Sequence, residues 1–269
     1  MLLQIFCRRN QPMNIKNTLL KLKRHQFLFE ELVKRDFKQK YKRTVLGMGW
    51  SILAPLLTLF VMNLIFSRFF GRSVNHYTIY LFCGNLLFSY FKESTTGGMN
   101  ALVGNAGIFT KVNVPKYLFL FSKNVSALFN FGLTLGVFFL FILFDKIHFG
   151  IHFLALLYPI LCLVILNLGV GMILSALFVF FRDVRYLYDV FTLLLMYCSA
   201  IFYTVPGRYQ HYFMLNPIYT YIRYFRLIVL DGKIPSLGHH ALCAFYAVLF
   251  LGIGCWMYKK YNHRFLYYL

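Results

Sequence analysis

Acidic residues are nearly missing from this chain: aspartate and glutamate number 8 among 269 residues, against 28 lysines and arginines. No two carboxylates are placed as an acid/base pair, since Glu30 and Glu31 lie in a basic stretch, which argues against hydrolytic or transferase chemistry. There is no GxxxxGK[ST] loop to cradle a nucleotide phosphate, so the chain alone has no means of hydrolysing ATP. A nucleophile elbow and an HExxH zinc motif are absent as well. His239 and His240 sit at the edge of an apolar run and read as interfacial rather than as metal ligands. The six cysteines (Cys7, Cys83, Cys162, Cys198, Cys243 and Cys255) stand singly, without zinc-site spacing or a disulfide pattern, and read as small core hydrophobes. Charge of either sign is scarce, at 13%, while 59% of residues are hydrophobic and 20% aromatic, too little polar surface to cover a water-soluble globule.

What is abundant is apolar sequence in long runs. A hydrocarbon core of about 30 Å takes roughly 20 helical residues at 1.5 Å each. Six runs meet that length, at about 49–70, 77–100, 118–144, 153–180, 187–204 and 239–258. The fold class expected is an all-α integral membrane protein with six transmembrane helices. Residues 1–25 are expected to form a basic cytoplasmic extension, 26–260 a single transmembrane domain and 261–269 a cytoplasmic tail. The net charge of +20 would suit nucleic acid if it formed one patch, but the basic residues cluster between apolar runs, so no nucleic-acid partner is expected. With loops assigned alternately, twenty basic residues fall on one side and seven on the other, which by the positive-inside rule puts both termini in the cytoplasm. Residues 1–7 are too short an apolar stretch for a signal peptide, and Met13 offers a second plausible start.

Two connecting segments carry more pattern than a plain loop. Phe29, Val33, Phe37 and Tyr41 recur every four residues, with Leu32 beside them and Lys34, Arg35, Lys38, Lys42 and Arg43 mostly on the other side. This predicts an amphipathic helix lying in the membrane interface on an anionic leaflet, the alternative being a solvated helix behind a basic tail. Between the fifth and sixth runs, Tyr209, Tyr212, Phe213, Tyr219, Tyr221, Tyr224 and Phe225 alternate with Arg208, His211, Arg223 and Arg226. That predicts short re-entrant or interfacial helices at the outer face, with guanidinium groups reaching headgroup phosphates.

The stretch KRDFKQKYKRTVLGMGWSILAP at 34–55 resembles the opening signature of type-2 ABC exporter permeases that move cell-surface polysaccharides and teichoic acids. NALVGNAGIFTKVNVPK at 100–116 is similar to the cytoplasmic segment after that family's second span. FFRDV at 180–184, Ile201-Phe-Tyr and Leu215-Asn-Pro217 fit its second half, so the resemblance runs in order over about 28–260. It implies a channel-forming subunit of an ATP-driven exporter in the bacterial cytoplasmic membrane. A second copy of the chain and two ATPase subunits would be its partners, ATP and magnesium being bound by those subunits and no cofactor by this chain. The cargo implied is a lipid-linked polysaccharide or polyol phosphate polymer. It further implies that the ATPases dock on the helix ending at Arg43 (Lys34, Arg35, Asp36, Lys40, Arg43), on the 100–117 segment (Asn105, Lys111, Pro115, Lys116) and on the Arg182-Asp183 turn. A topology-setting charge is the plainer account of Arg182 and Asp183. Asn105, Gly107 and Pro115 would break helices so that the segment between them crosses the cytoplasmic surface as one short rigid piece.

Lys92 and Glu93 depart from the small or polar residues that the family carries in its second span. A charge at membrane depth is costly unless it faces water or a partner, so Tyr90, Phe91, Lys92 and Glu93 are candidate channel or substrate residues, Lys92 for a diphosphate or an anionic sugar chain. The plainer account is a short span with both charges near the cytoplasmic headgroups. Gly132 and Gly136 form a small-xxx-small spacing that is too common to mark an interface. A permease for a drug or another lipid shares the architecture, a membrane-embedded transferase would need more carboxylates, and a secondary transporter would show matching half-repeats.

Overall fold

The computed structural model describes residues 26–42, 44–71, 74–109, 114–147, 149–261 and 264–268. The predicted extension 1–25, with the possible start at Met13, lies outside them. The described residues are helical: α1 Gln26–Tyr41, α2 Trp50–Phe70, α3 Tyr77–Asn100, α4 Ala106–Phe109, α5 Tyr117–Phe144, α6 Leu157–Phe180, α7 Val184–Cys198, α8 Gln210–Phe213, α9 Pro217–Val229, α10 Leu237–Tyr261 and α11 Phe265–Tyr268. Helix is what such a sequence must form in lipid, because it satisfies every backbone N–H and C=O within one segment.

Six of these helices stand where the six apolar runs were read, and four are by themselves long and apolar enough to cross a membrane: Gly47–Phe70, Tyr117–Phe144, Ile151–Phe180 and Leu237–Tyr261. Helix α3 is 24 residues long, but Lys92 and Glu93 dilute its apolar character. Helix α7 corrects the fifth run. It starts at Val184 and stops at Cys198, 15 residues that rise roughly 22 Å, so residues 199–204 are not its continuation.

Helix α6 is the central column, packed between α3 and α10. Glycines set both approaches. A methyl group on Gly98 of α3 would come within 2.9 Å of the Gly171 Cα on α6. One on Gly169 would come within 2.4 Å of the Leu251 nitrogen on α10, and one on Gly254 within 2.8 Å of the Gly169 oxygen. Small residues that let backbones touch are how helices associate where lipid removes the hydrophobic drive. Gly132 and Gly136 of α5 have nothing within 4 Å among the described residues and take no part in these approaches. Helices α2 and α7 are peripheral: α2 buries only Ser51 and Leu59, and α7 only Tyr188 and Thr192.

The helix ends sort to two poles. At one pole Leu32 of α1, Leu102, Phe119 of α5, Val179 of α6, Tyr258 of α10 and Phe265 of α11 share one apolar cluster. Helix α1 is therefore not spread on a leaflet by its whole apolar stripe. Leu32 is buried against the protein, Phe29 packs on the same cluster, and the Phe37 ring meets Phe129 of α5 edge-on at 6.4 Å. At the other pole His76, just before α3, bonds Asp145, just after α5, at 2.9 Å.

Candidate functional site

Three features of the bundle carry chemistry, and the first lies at the pole that gathers α1. The Asp36 carboxylate is buried with its side chain 2% exposed, and it is ringed by cations: Arg35 Nη2 at 2.9 Å and Lys123 Nζ of α5 at 3.0 Å. Ser122 Oγ donates to it at 3.3 Å. The Arg35 guanidinium also donates to Asn105 Oδ1 at 2.8 Å, while the Asn105 amide nitrogen donates to the Ala101 carbonyl at 2.8 Å. The family resemblance implied that Arg35, Asp36 and Asn105 belong to the surfaces on which the ATPases dock. The structure brings the three together but turns Asp36 and Asn105 inward, tying α1, the turn after α3 and the start of α5 into one unit. Lys34 faces outward, where the Glu31 carboxylate 3.0 Å away holds its ammonium above the ordinary lysine range. Arg182 and Asp183 are exposed, with Arg182 stacked over the Phe178 ring at 5.3 Å. Pro115 and Lys116 are half-buried; Lys116 lies over the Phe265 ring at 5.4 Å, and burial lowers its pKa. Arg43 and Lys111 are outside the described residues, as is the Lys40 side chain.

The second feature explains why α7 stops early. Ala200 adopts a left-handed backbone (φ 48°), and the chain runs on without regular structure although its residues stay apolar. Irregular backbone at membrane depth is tolerated only where protein satisfies it. Here side chains of α3 and α9 do so. Asn216 Nδ2 donates to the Cys198 carbonyl at 3.2 Å. Arg226 donates to the carbonyls of Ala200 and Ile201, both at 2.9 Å, and to that of Tyr80 at 3.1 Å. The Tyr77 hydroxyl donates to the Phe202 carbonyl at 2.7 Å and the Tyr80 hydroxyl to the Tyr203 carbonyl at 2.6 Å. Arg226 thus does not reach a headgroup phosphate: it is 7% exposed, over the Tyr80 ring at 3.4 Å, and occupies the space that Gly84 leaves by lacking a side chain. The same Asn216 accepts from the Ile218 N–H at 2.9 Å, so Asn216-Pro217 both starts α9 and ends α7. Of the other arginines expected at the outer face, Arg208 is exposed and donates to the Tyr209 hydroxyl at 2.7 Å, while Arg223 is half-buried beside Tyr219.

The third feature runs along α3. From Ile79 to Phe88 every residue is buried; beyond that the helix opens only at Ser89, Lys92, Glu93, Thr96, Gly97 and Asn100. These positions, three or four apart, form one face, and none of them is apolar. A cavity of 510 Å³ lies between this face, α2 and α5, lined by Ser51, Thr58, Asn85, Tyr90, Glu93 and Asn130 among others. Asn130 donates to the Glu93 carboxylate at 2.6 Å. A second, more open cavity of 570 Å³ continues past Lys92 to Asn100 and Lys123. Of the four channel candidates, Tyr90, Lys92 and Glu93 line this path. Tyr90 is largely buried and donates to Asn124 Oδ1 at 3.2 Å, and Phe91 is a core residue.

Residues 28–230 match the family described as ABC-2 type transporter. The chain belongs to that family. Among curated relatives it is 25% identical over 247 residues to the O-antigen export system permease protein RfbA of Klebsiella pneumoniae, covering 89% of this chain and 95% of that protein. It is 26% identical to the protein of the same name from Myxococcus xanthus (80% and 85% covered). It is 23% identical to the polysialic acid transport protein KpsM of Escherichia coli (86% and 92% covered). An ABC-2 chain is an integral membrane transport subunit rather than an enzyme, with ATP hydrolysed by a separate subunit.

Sequence reasoning missed the carbonyl cradle of this ABC-2 chain. Two signals were available: an arginine, Arg226, inside an apolar helix with no acidic neighbour, and two tyrosines three residues apart at the start of α3. It also missed Lys123 as the partner of Asp36, because the two are far apart in sequence and only the docking of α1 on α5 joins them.

Proposed function

We propose that this chain is the permease of an ATP-driven exporter that carries a lipid-linked cell-surface polysaccharide, of the O-antigen or capsule kind, outward across the bacterial cytoplasmic membrane. What supports the cargo is the similarity to O-antigen and polysialic acid permeases along nearly their whole length. Six helices cross the membrane, α2, α3, α5, α6, α7 and α10, with the pole that gathers α1 in the cytoplasm. The permease works as a pair of identical chains with two ATPase subunits, which hold ATP and magnesium. The exposed Arg182-Asp183 turn and the outer face of α1 meet those subunits. Behind them the Asp36 network passes a push on α1 to α5 and the turn after α3, as a rigid unit displacing spans at an interface. The polar face of α3 suits hydroxyl-rich cargo better than an apolar drug.

Deleting the gene should abolish surface polymer while polymer accumulates inside, and the intact gene should restore export. Co-purification with an ATPase subunit, with ATPase activity lost in an R182A/D183A variant that still folds, would support the docking surface. Unchanged surface polymer in the deletion strain would reject the cargo, and failure to associate with any ATPase subunit would reject the whole assignment.

A further inference from the structure

The open stripe on α3 poses a problem that export alone does not answer. Along one face of an otherwise buried helix, over about 17 Å, Ser89 and Lys92 are exposed and Thr96 and Asn100 half-buried. Lys92 is exposed about 12 Å from the α3 terminus, and Lys123 stands about 9 Å into α5. Both line the same 570 Å³ groove. The stem of Lys123 lies against α3 beside Gly97, where an added methyl group would sit in ordinary van der Waals contact, 3.6 Å from the Lys123 Cβ. Among the described residues Lys92 has no carboxylate within ion-pair distance. Lys123 spends one donor on Asp36, which Arg35 also neutralises, and the Glu93 carboxylate lining the same groove accepts from Asn130, so Lys92, Lys123 and Arg35 exceed Asp36 and Glu93 by one positive charge. The Thr96 hydroxyl, buried at the base of this face, has no hydrogen-bond partner among the described residues. An ammonium at this depth requires an anion, and long lysine side chains reach toward the interface where phosphates lie.

We infer that the groove between α3 and α5 binds the phosphate of a lipid headgroup, with Lys92 as its main cation and Lys123 and Thr96 beside it. A phosphate oxygen would take charge-assisted hydrogen bonds from the two ammonium groups, which lie near the cytoplasmic leaflet. The shared chemistry is a phosphorylated lipid. Its source is either the polyprenyl diphosphate end of a lipid-linked polymer, which rests on the export reading above, or an ordinary anionic phospholipid, which does not.

The full-length chain would be placed in phosphatidylcholine nanodiscs doped with phosphatidylglycerol or with a polyprenyl diphosphate, and the lipid retained counted by native mass spectrometry. Wild type should enrich the doped lipid over phosphatidylcholine. Lys92→Met should lower that enrichment roughly tenfold, about the loss of one charge-assisted bond, and Lys92→Arg should keep most of it. Enrichment of the diphosphate well above phosphatidylglycerol assigns the carrier lipid; equal enrichment of both assigns bulk phospholipid. Either supports the inference. Thr96→Val, which keeps the side-chain shape, should lower retention severalfold and guards against misfolding of the first variant. Equal retention in wild type and Lys92→Met, no enrichment of either lipid, or binding of inorganic pyrophosphate without lipid would overturn it. A chain that restores surface polymer in cells yet retains neither lipid would separate this failure from a failure of the export reading.

Discussion

Asp36 and Lys123 stand 87 positions apart in sequence and 3.0 Å apart in space, and their ion pair fastens α1 to α5. Replacing Asp36 with Asn keeps the shape and leaves Lys123 and Arg35 without their anion. The expected loss is about 2 kcal/mol, below the 3–5 kcal/mol of a fully buried pair because both cations are partly exposed. Thermal unfolding in detergent reads the loss, and adding Lys123→Met to Asp36→Asn should recover part of it. A double variant as unstable as the sum of the singles would deny the coupling.

The carbonyl cradle predicts that Arg226→Lys is not conservative. Lysine cannot present the planar fork that serves three carbonyls, so roughly 3 kcal/mol should be lost, with Arg226→Met worse. Tyr77→Phe should cost about 1–2 kcal/mol by leaving the Phe202 carbonyl unpaired. Fluorescence-detected size exclusion after a heat step would rank these variants. Wild-type behaviour of Arg226→Lys would count against the cradle.

Glycine positions should divide sharply. Gly169→Leu forces α6 away from α10 and should leave little folded protein, whereas Gly132→Leu on the open face of α5 should change stability by no more than about 0.5 kcal/mol. Yields of folded protein at equal expression compare the two.

Orientation is testable by labelling single cysteines in a cysteine-free background. Cysteine at Asp231, in the connection between α9 and α10, should react with an impermeant maleimide in whole cells. Cysteine at Lys259, near the end of α10, should react only after the membrane is opened. The reverse pattern would invert the proposed topology.

The long helices were legible because their signal is local. Runs of Leu, Phe, Ile and Val fix α2, α5, α6 and α10 within a few residues. The end of α7 was not legible, because Ile201, Phe202 and Tyr203 are as apolar as the helix before them. What stops the helix is Asn216 on the Cys198 carbonyl and Arg226 on the next ones, donors supplied from later in the chain. Asp36 shows the converse. Its type and neighbourhood were noticed, but a charged residue in a basic stretch looks the same whether it faces outward or is drawn under by a lysine on α5. On α3 the charges at Lys92 and Glu93 were conspicuous, whereas the face they share with Ser89, Thr96 and Asn100 emerged only when the rest of the helix proved buried.

The glycine contacts of α6 have a mechanical consequence. Where backbone touches backbone through Gly98, Gly171, Gly169 and Gly254, there are no side chains to change rotamer and absorb a sliding motion. Helices α3, α6 and α10 therefore behave as a stiff slab. Rearrangement that widens or narrows the protein must be taken up at its loosely held margins, α2 and α7, which share few buried residues with the slab and border whatever lies alongside.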